Sequence, residues 1–181
     1  MKRFFAILAG LIVLGAVASA QPRAIGARLG WGYELSFQYG FGEYQFLQVD
    51  LGATVDRYLL PDGARLTGTY NFIFSEPRWT SRGEWAWFAG VGATVGVIHR
   101  PEWVYSDSEQ QYVKTAEYNY FVTGVVPQFG LEYTFWFPLQ LSLDIRPTIG
   151  VALGKGREMG PFYMDGITFG FIPTLSVRYR F

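Results

Sequence analysis

One stretch of the sequence combines side chains that could perform nucleophilic or acid–base catalysis. His99 is the single histidine of the chain, and Ser106, Asp107 and Ser108 follow it. A hydrolase needs its nucleophile, its base and the group that orients the base within hydrogen-bond reach of one another. Closeness within a polar loop does not supply that geometry. We therefore interpret His99 as an interfacial side chain and the serines as part of an ordinary loop, and we predict no catalytic residue and no enzymatic activity.

Other residue types that build chemical sites are absent or wrongly placed. The chain has no cysteine, which excludes disulfides, thiolate metal sites and thiol nucleophiles. No metal-ligand spacing is present, and Gly90-Val91-Gly92 is not followed by a helix, so it is not a nucleotide-binding loop. We expect no metal and no cofactor. The 15 Lys and Arg balance the 15 Asp and Glu, so nucleic acid is not a predicted partner.

A second chemically active set consists of arginines and carboxylates at alternating positions. Its members are Arg28, Glu34, Asp50, Arg65, Glu132, Asp144, Arg146, Arg178 and Arg180. If the strands derived below close into a barrel with these side chains inside, the charges would form either a charged, selective channel or a network of paired charges that fills the lumen. Eight strands leave little free cross-section, and unpaired buried charges are very costly. We therefore predict a filled lumen and no open pore.

The first twenty residues have the pattern of an export signal. Lys2 and Arg3 precede an apolar run from Phe4 to Val17, and Ala18-Ser19-Ala20 forms a small-residue cleavage site before Gln21. The apolar run is shorter than the roughly 20 residues of a membrane helix. We predict cleavage after Ala20, which leaves residues 21–181 as one domain.

The elements that position the charged side chains are predicted to be β-strands. From Ile25 to Tyr39 the odd positions are apolar and the even positions are small or polar. The pattern recurs over residues 47–55, 65–74, 85–97, 121–133, 139–151 and 167–181. Turn-forming residues such as Pro61-Asp62-Gly63 follow the runs. A period of two is typical of strands, so the predicted fold class is all-β.

The volume of the apolar side chains decides which face is inside. A soluble barrel buries its apolar faces, whereas a membrane barrel turns them to lipid. About forty large apolar side chains do not fit inside eight strands, whose interior is only just wide enough to be filled by side chains. After the signal, the lysines are Lys114 and Lys155 alone, and a guanidinium suits a confined polar interior better than an ammonium does. The sequence therefore predicts an antiparallel, up-and-down transmembrane barrel with a polar lumen.

The number of runs leaves one strand to be located. Seven alternating runs are visible, but a closed single-chain barrel of this kind has an even number of strands. With the C-terminus on the periplasmic side, the segments from Arg100 to Glu117 and from Gly154 to Gly166 are predicted to be external. We predict two short strands within residues 24–39, folding back near Gly30-Trp31-Gly32. A strand within residues 153–164 is the alternative.

Aromatic residues and the C-terminal segment carry a family resemblance. The aromatics near the predicted periplasmic strand ends are Tyr39, Phe41, Phe74, Trp85, Trp87, Tyr133, Phe135, Trp136, Phe137 and Phe181, as in an interfacial girdle. The chain ends with apolar residues at alternate positions, Val177, Tyr179 and Phe181. With the export signal and the alternation, this ending resembles that of the small eight-stranded outer-membrane β-barrels of the OmpA-transmembrane and OmpX type.

The resemblance implies a location and general partners. It places the protein in the outer membrane of a Gram-negative cell envelope, in contact with outer-membrane lipid. It also implies that Val177, Tyr179 and Phe181 are read by the outer-membrane insertion machinery. We expect a non-enzymatic protein with a structural role or an interaction role through its external loops. The external partner is not predicted.

Three prolines suggest an alternative function. Pro127, Pro147 and Pro173 fall inside predicted strands near the outer edge of the apolar band, although proline lacks the N–H that the ladder needs. Each proline could mark only a bulge or the end of pairing. Together they could also form a lateral gap, through which a small transporter would pass apolar molecules.

Overall fold

The computed structural model describes residues 23–30, 32–55, 61–106, 111–154, 157–163 and 173–181. The predicted signal peptide lies outside these ranges, as do Asp107 and Ser108. The described residues form ten β-strands and no helix. The strands are β1 (Arg23–Gly30), β2 (Gly32–Gly40), β3 (Gln45–Val55), β4 (Pro61–Ser75), β5 (Glu84–Ser106), β6 (Gln111–Thr134), β7 (Leu139–Ile145), β8 (Ile149–Gly154), β9 (Arg157–Tyr163) and β10 (Thr174–Arg180).

The strands close into one antiparallel barrel. Pairing follows chain order from β1 to β6, and β10 closes the ring by pairing with both β7 and β1. β7 and β8 both pair with β6 and so form one wall strand in two pieces. β9 pairs with β8, and β9 and β10 are the two pieces of the last wall strand. The wall therefore has eight strands, and the predicted all-β barrel is confirmed.

The extra strand lies at the start of the chain. β1 and β2 pair antiparallel up to Gly30 opposite Gly32, so the chain folds back where the two short strands were predicted. Residues 157–163 also form a strand, but one that belongs to the last wall strand. The segment 154–166, expected to be an external connection, is therefore partly wall. Residues 100–106 and 111–117, also expected to be external, continue the β5–β6 ladder beyond Ile98, the last residue of β5 that pairs with β4.

Side chains alternate across the wall in the orientation of a membrane barrel. In β2, the side chains of Ser36 and Gln38 are buried, whereas those of the alternate residues Leu35 and Phe37 are exposed. Leu35 has 68% of its surface exposed. Water would penalise such an exterior, since burying a leucine is favourable by about 1.5–3 kcal/mol. The exterior is therefore suited to lipid and the interior to polar groups.

Two ends of the barrel can be distinguished. The terminus end carries Arg23, Phe181 and the connections 41–44, 76–83 and 135–138; the other end is called the loop end. The outward aromatics of the terminus end touch one another: Trp87 stacks on Phe129 at 5.5 Å, and Trp85 lies 4.6 Å from Tyr133 between ring centroids. This is the expected place of the aromatic girdle. A search of the described residues for helices long and apolar enough to cross a membrane finds none.

Candidate functional site

The centre of the lumen is occupied by six charged side chains, which we call the charge cluster. They are Arg28, Glu34, Asp50, Arg65, Asp144 and Arg146. They come from five wall strands and the residue that follows β7, because alternation turns each of them inward. Each is at most 8% exposed. Three arginines face three carboxylates, so the cluster is neutral.

Glu34 is the hub of the charge cluster. One of its carboxylate oxygens accepts from Arg28 Nη1 at 2.5 Å and the other from Arg65 Nη2 at 2.7 Å. Arg28 also pairs with Asp144 through Nη2. These contacts connect β1, β2, β4 and β7 across the barrel. Charge-assisted bonds of this kind are roughly twice as strong as neutral ones, so the cluster braces opposite parts of the wall.

Arg146 and Asp50 form the other half of the charge cluster. Arg146 Nη1 lies 2.7 Å from Asp50 Oδ2 and 3.9 Å from Glu34 Oε2. Asp50 also accepts from Gln48 Nε2 at 2.9 Å. None of the three guanidinium nitrogens of Arg146 has a hydrogen-bond partner, although the side chain is only 6% exposed. The contact of Nη1 with Asp50 is therefore an ion pair without hydrogen-bond alignment, and the edge formed by Nε and Nη2 has no acceptor.

The remaining buried charges lie toward the terminus end. Arg178 donates to Ser36 Oγ at 2.9 Å and to Ser142 Oγ at 2.8 Å. Glu132 accepts from Gln38 Nε2 at 3.3 Å. With these two side chains, the buried charges of the described residues comprise four arginines and four carboxylates. The lumen is thus electrically balanced.

Arg180 differs from the other members of the predicted set. It is only partly buried and lines a cavity of about 120 Å³ at the terminus end, whose lining also includes Glu132. At the nearby connection, Tyr44 donates to Glu43 at 3.0 Å, and this hydrogen bond raises the pKa of the phenol. The structure therefore brings eight of the nine predicted charges into the interior and leaves Arg180 at its end.

Neutral polar side chains, which were not among the predicted site residues, form a belt around the inside of the wall. Thr69 Oγ1 donates to Gln128 Oε1 at 2.7 Å, and Thr67 and Thr94 hydroxyls lie 2.9 Å apart. Gln48 is fully buried. These bonds run between strands, so the belt fills space around the charge cluster and holds the wall strands together.

Two aromatic rings are also inside the lumen, which corrects the expectation of a wholly polar interior. Phe46 and Phe88 are 7% and 0% exposed, and their rings meet edge to face at 5.3 Å. Toward the loop end, Ile98 and Val122 form a small buried apolar contact. The sequence signal for these residues is a break in alternation, since Phe46 precedes Leu47 and Phe88 follows Trp87. Both apolar contacts narrow the lumen further.

The barrel wall has one interruption between β6 and the seventh wall strand. Phe129 lies opposite Ile145, and Val125 lies opposite Ile149. The register is therefore the same on both sides of the interruption and sets Pro127 directly opposite Pro147. We call residues 126–128 and 146–148, which are not paired with each other, the wall break.

The two prolines explain the wall break. A closely spaced antiparallel pair exchanges two N–H···O=C bonds, and neither proline has an N–H to donate. Losing the bonds of one such pair removes that pair and its two neighbours from the ladder, which matches the three missing pairs. On the other side of residues 146–148, the described pairings end at Asp144 opposite Thr174 and begin again at Ile149 opposite Tyr163.

Pro173 is placed differently from the other two prolines. It directly precedes β10 and is not inside a strand, and Pro147 lies between β7 and β8. The expectation that all three prolines fall inside strands is therefore wrong for Pro147 and Pro173. Of these three, Pro127 alone lies within a strand, β6, where its other neighbour is Val91 of β5. The prolines that act on the same stretch of wall are Pro127 and Pro147.

The C-terminal residues and the histidine occupy the outer surface. Val177, Tyr179 and Phe181 point outward, and Tyr179 and Phe181 rings stack at 6.5 Å. His99 contacts Asn119, its partner across the β5–β6 ladder. Ser106 lies seven residues further along β5, or about 23 Å at 3.3 Å per residue. That separation does not fit a catalytic pairing. Among the described residues, no group of His, Asp and Glu is arranged to hold a metal ion.

Comparisons with known proteins identify the fold. No protein-family model matches the chain, and no curated protein does so. Among solved structures, the chain is similar to the N-terminal β-barrel domain of Pseudomonas aeruginosa OprF. The TM-score is 0.52 at 16% sequence identity, over 89% of this chain and 96% of that domain. The expected resemblance to small eight-stranded outer-membrane barrels is thus confirmed for the fold.

Proposed function

We propose that the protein is a non-enzymatic, integral outer-membrane β-barrel with a structural role or an interaction role at its loop end. The observation that carries this proposal is the filled lumen, in which four arginines and four carboxylates are buried. The apolar exterior and the fold shared with the OprF domain support the location. Lipid is the partner that the exterior fits.

The contacts inside the lumen argue against conduction. A permeating ion would have to displace a charge cluster whose members are bound to one another at 2.5–2.7 Å. Removing one partner from a buried ion pair costs about 3–5 kcal/mol. Phe46 and Phe88 take up further space inside the barrel, since both rings are buried and in contact. The barrel is therefore expected to act through its surface and loops.

Bilayer recordings and fractionation test this proposal. The refolded protein should give negligible current in planar bilayers, in which an open porin serves as the positive control. In cells, it should fractionate with outer membranes and migrate differently on gels before and after heating. Large, steady single-channel currents would refute the filled lumen. Recovery as a soluble monomer without detergent would refute the location.

Export and insertion form a separate part of the proposal. The mature protein is expected to begin at Gln21, which mass spectrometry of the outer-membrane fraction would establish. Val177, Tyr179 and Phe181 present apolar side chains on one face of the last strand, and this row is the proposed signal for the insertion machinery. A mature mass that includes residues 1–20 would contradict the cleavage site.

The wall break favours a second candidate function. The outward side chains beside it are apolar and well exposed, namely Val125, Phe129 and Ile149. The outer side of the break is therefore part of the surface suited to lipid. The alternative is a small transporter that passes apolar molecules through this lateral opening. Amide hydrogen exchange of the refolded protein tests it, because the amides of Arg146 and Thr148, which belong to no described ladder, should exchange much faster than the flanking amides of β7 and β8. Equal protection from residue 143 to residue 151 would contradict a lateral opening.

A further inference from the structure

The inner surface of the wall break carries hydrogen-bond donors without acceptors. Four side chains point inward there, Val126, Gln128, Arg146 and Thr148, and each is at most 6% exposed. Gln128 Nε2 has no partner, whereas the oxygen of the same amide accepts from Thr69 at 2.7 Å. No guanidinium nitrogen of Arg146 has a hydrogen bond, although Nη1 lies in the ion pair with Asp50. The Gln128 amide and the Nε–Nη2 edge of Arg146 therefore offer unmet donors on the two strands that flank the break.

The chemistry of these donors selects a class of ligand. Nε and Nη2 form one edge of the planar guanidinium, the arrangement that binds two oxygens of a carboxylate at once. A buried donor without an acceptor costs about 1–3 kcal/mol, so an oxygen acceptor at this place would be stabilised. Val126 offers an apolar contact beside them. The inner side of the wall break thus fits the oxygens of a carboxyl head and offers nothing to a cationic one.

The outer side of the wall break selects the rest of the ligand. It is flanked by Val125 and Ile149, which are 55% and 57% exposed. Three residue pairs without ladder bonds span about 10 Å of wall at 3.3 Å per residue. That length suits one hydrocarbon chain better than the several chains of a lipid. The wall break therefore lies between an apolar outer surface and the donors on its inner side.

We propose that the wall break binds a single-chain amphiphile with a carboxylate head, which enters from the lipid phase and places its head against Arg146 and Gln128. This inference rests on the second candidate function and adds a ligand class to it. The hydrocarbon chain stays between Pro127 and Pro147, where no ladder bond has to be broken. The proposal does not require an open lumen.

Electron paramagnetic resonance of the full protein in phosphatidylcholine vesicles tests the proposal. The probes are nitroxide-labelled stearic acid and its methyl ester, which share the chain and differ in the charge of the head. The wild type should immobilise the acid at least tenfold more tightly than the ester. P127V/P147V should lose this binding at least tenfold, since two restored N–H groups close the ladder. Q128L should reduce the preference for the acid.

Controls separate the possible failures. P77A changes a proline of the 76–83 connection and should bind like the wild type. Heat-modifiable migration establishes that each variant is folded, and P147V alone serves if the double variant does not fold. Equal binding of acid and ester would overturn the carboxylate head and leave the lateral opening in place. Wild-type binding by a folded P127V/P147V, or P147V, or no binding of either probe by the wild type, would overturn the proposal.

Discussion

Replacing Arg146 tests whether the charge cluster stabilises the barrel as the structure indicates. The Arg146 guanidinium lies 2.7 Å from Asp50, which is fully buried. In R146M the carboxylate of Asp50 loses its ionic partner and keeps one amide donor, Gln48 at 2.9 Å. Breaking a buried pair costs about 3–5 kcal/mol, and the remaining bond places the expected loss near 3 kcal/mol. At an m-value of about 2 kcal/mol/M, the urea midpoint should fall by roughly 1.5 M.

The double variant D50N/R146M completes the test. Replacing both partners of a buried ion pair is often close to neutral, so this variant should unfold within about 1 kcal/mol of the wild type. The assay is reversible urea unfolding in lipid vesicles, followed by tryptophan fluorescence. R78M, at an exposed arginine of the 76–83 connection, is the matched control and should change stability by about 0.5 kcal/mol at most. A loss below 1 kcal/mol in R146M, or a double variant as unstable as the sum of its single changes, would refute the reasoning.

Three further perturbations follow from the structure. F88A should lower the free energy of unfolding by about 3–5 kcal/mol, because the ring is fully buried against Phe46; a loss below 1 kcal/mol in the same urea assay would contradict a packed lumen. In P127V/P147V, the two new amides at positions 127 and 147 should exchange as slowly as the flanking amides of the ladder, because each donates across the restored pair, and fast exchange at both positions would show that the prolines do not cause the wall break. Removing Phe181 should lower the amount of folded protein in the outer membrane several-fold without changing synthesis, as measured by heat-modifiable migration, and normal assembly would contradict the insertion signal.

Alternation was sufficient to predict the class of fold and the inward position of eight of the nine predicted charges. Arg28 and Glu34 are six residues apart on neighbouring strands, and their pairing follows from the tight fold between β1 and β2. The bond between Arg28 and Asp144 could not be predicted in this way, because it joins residues 116 positions apart. Its geometry depends on strand tilt and stagger, which alternation does not determine.

The interior apolar residues were missed for a specific reason. If one face of each strand is assigned to lipid by the volume of its side chains, every large apolar side chain is expected to point outward. Phe46 and Phe88 occupy inward positions beside outward apolar residues, so two apolar residues occur in succession. Such pairs are the local signal of an inward apolar residue in an alternating strand. The continuous β5–β6 extension was missed because its residues do not alternate regularly.

The position of the two prolines keeps the loss of ladder bonds in the wall small. An unsatisfied backbone group in the bilayer costs several kcal/mol. Two prolines on separate pairs would disturb the ladder at two heights, whereas Pro127 opposite Pro147 confines the loss to one pair and leaves no N–H of that pair without an acceptor. Unpaired carbonyls are tolerated better than unpaired N–H groups. Arg146 directly precedes Pro147, so its buried guanidinium lies at the height where the ladder bonds are missing. Missing ladder bonds and unmet donors therefore occur together. This combination distinguishes the wall break from a simple strand end.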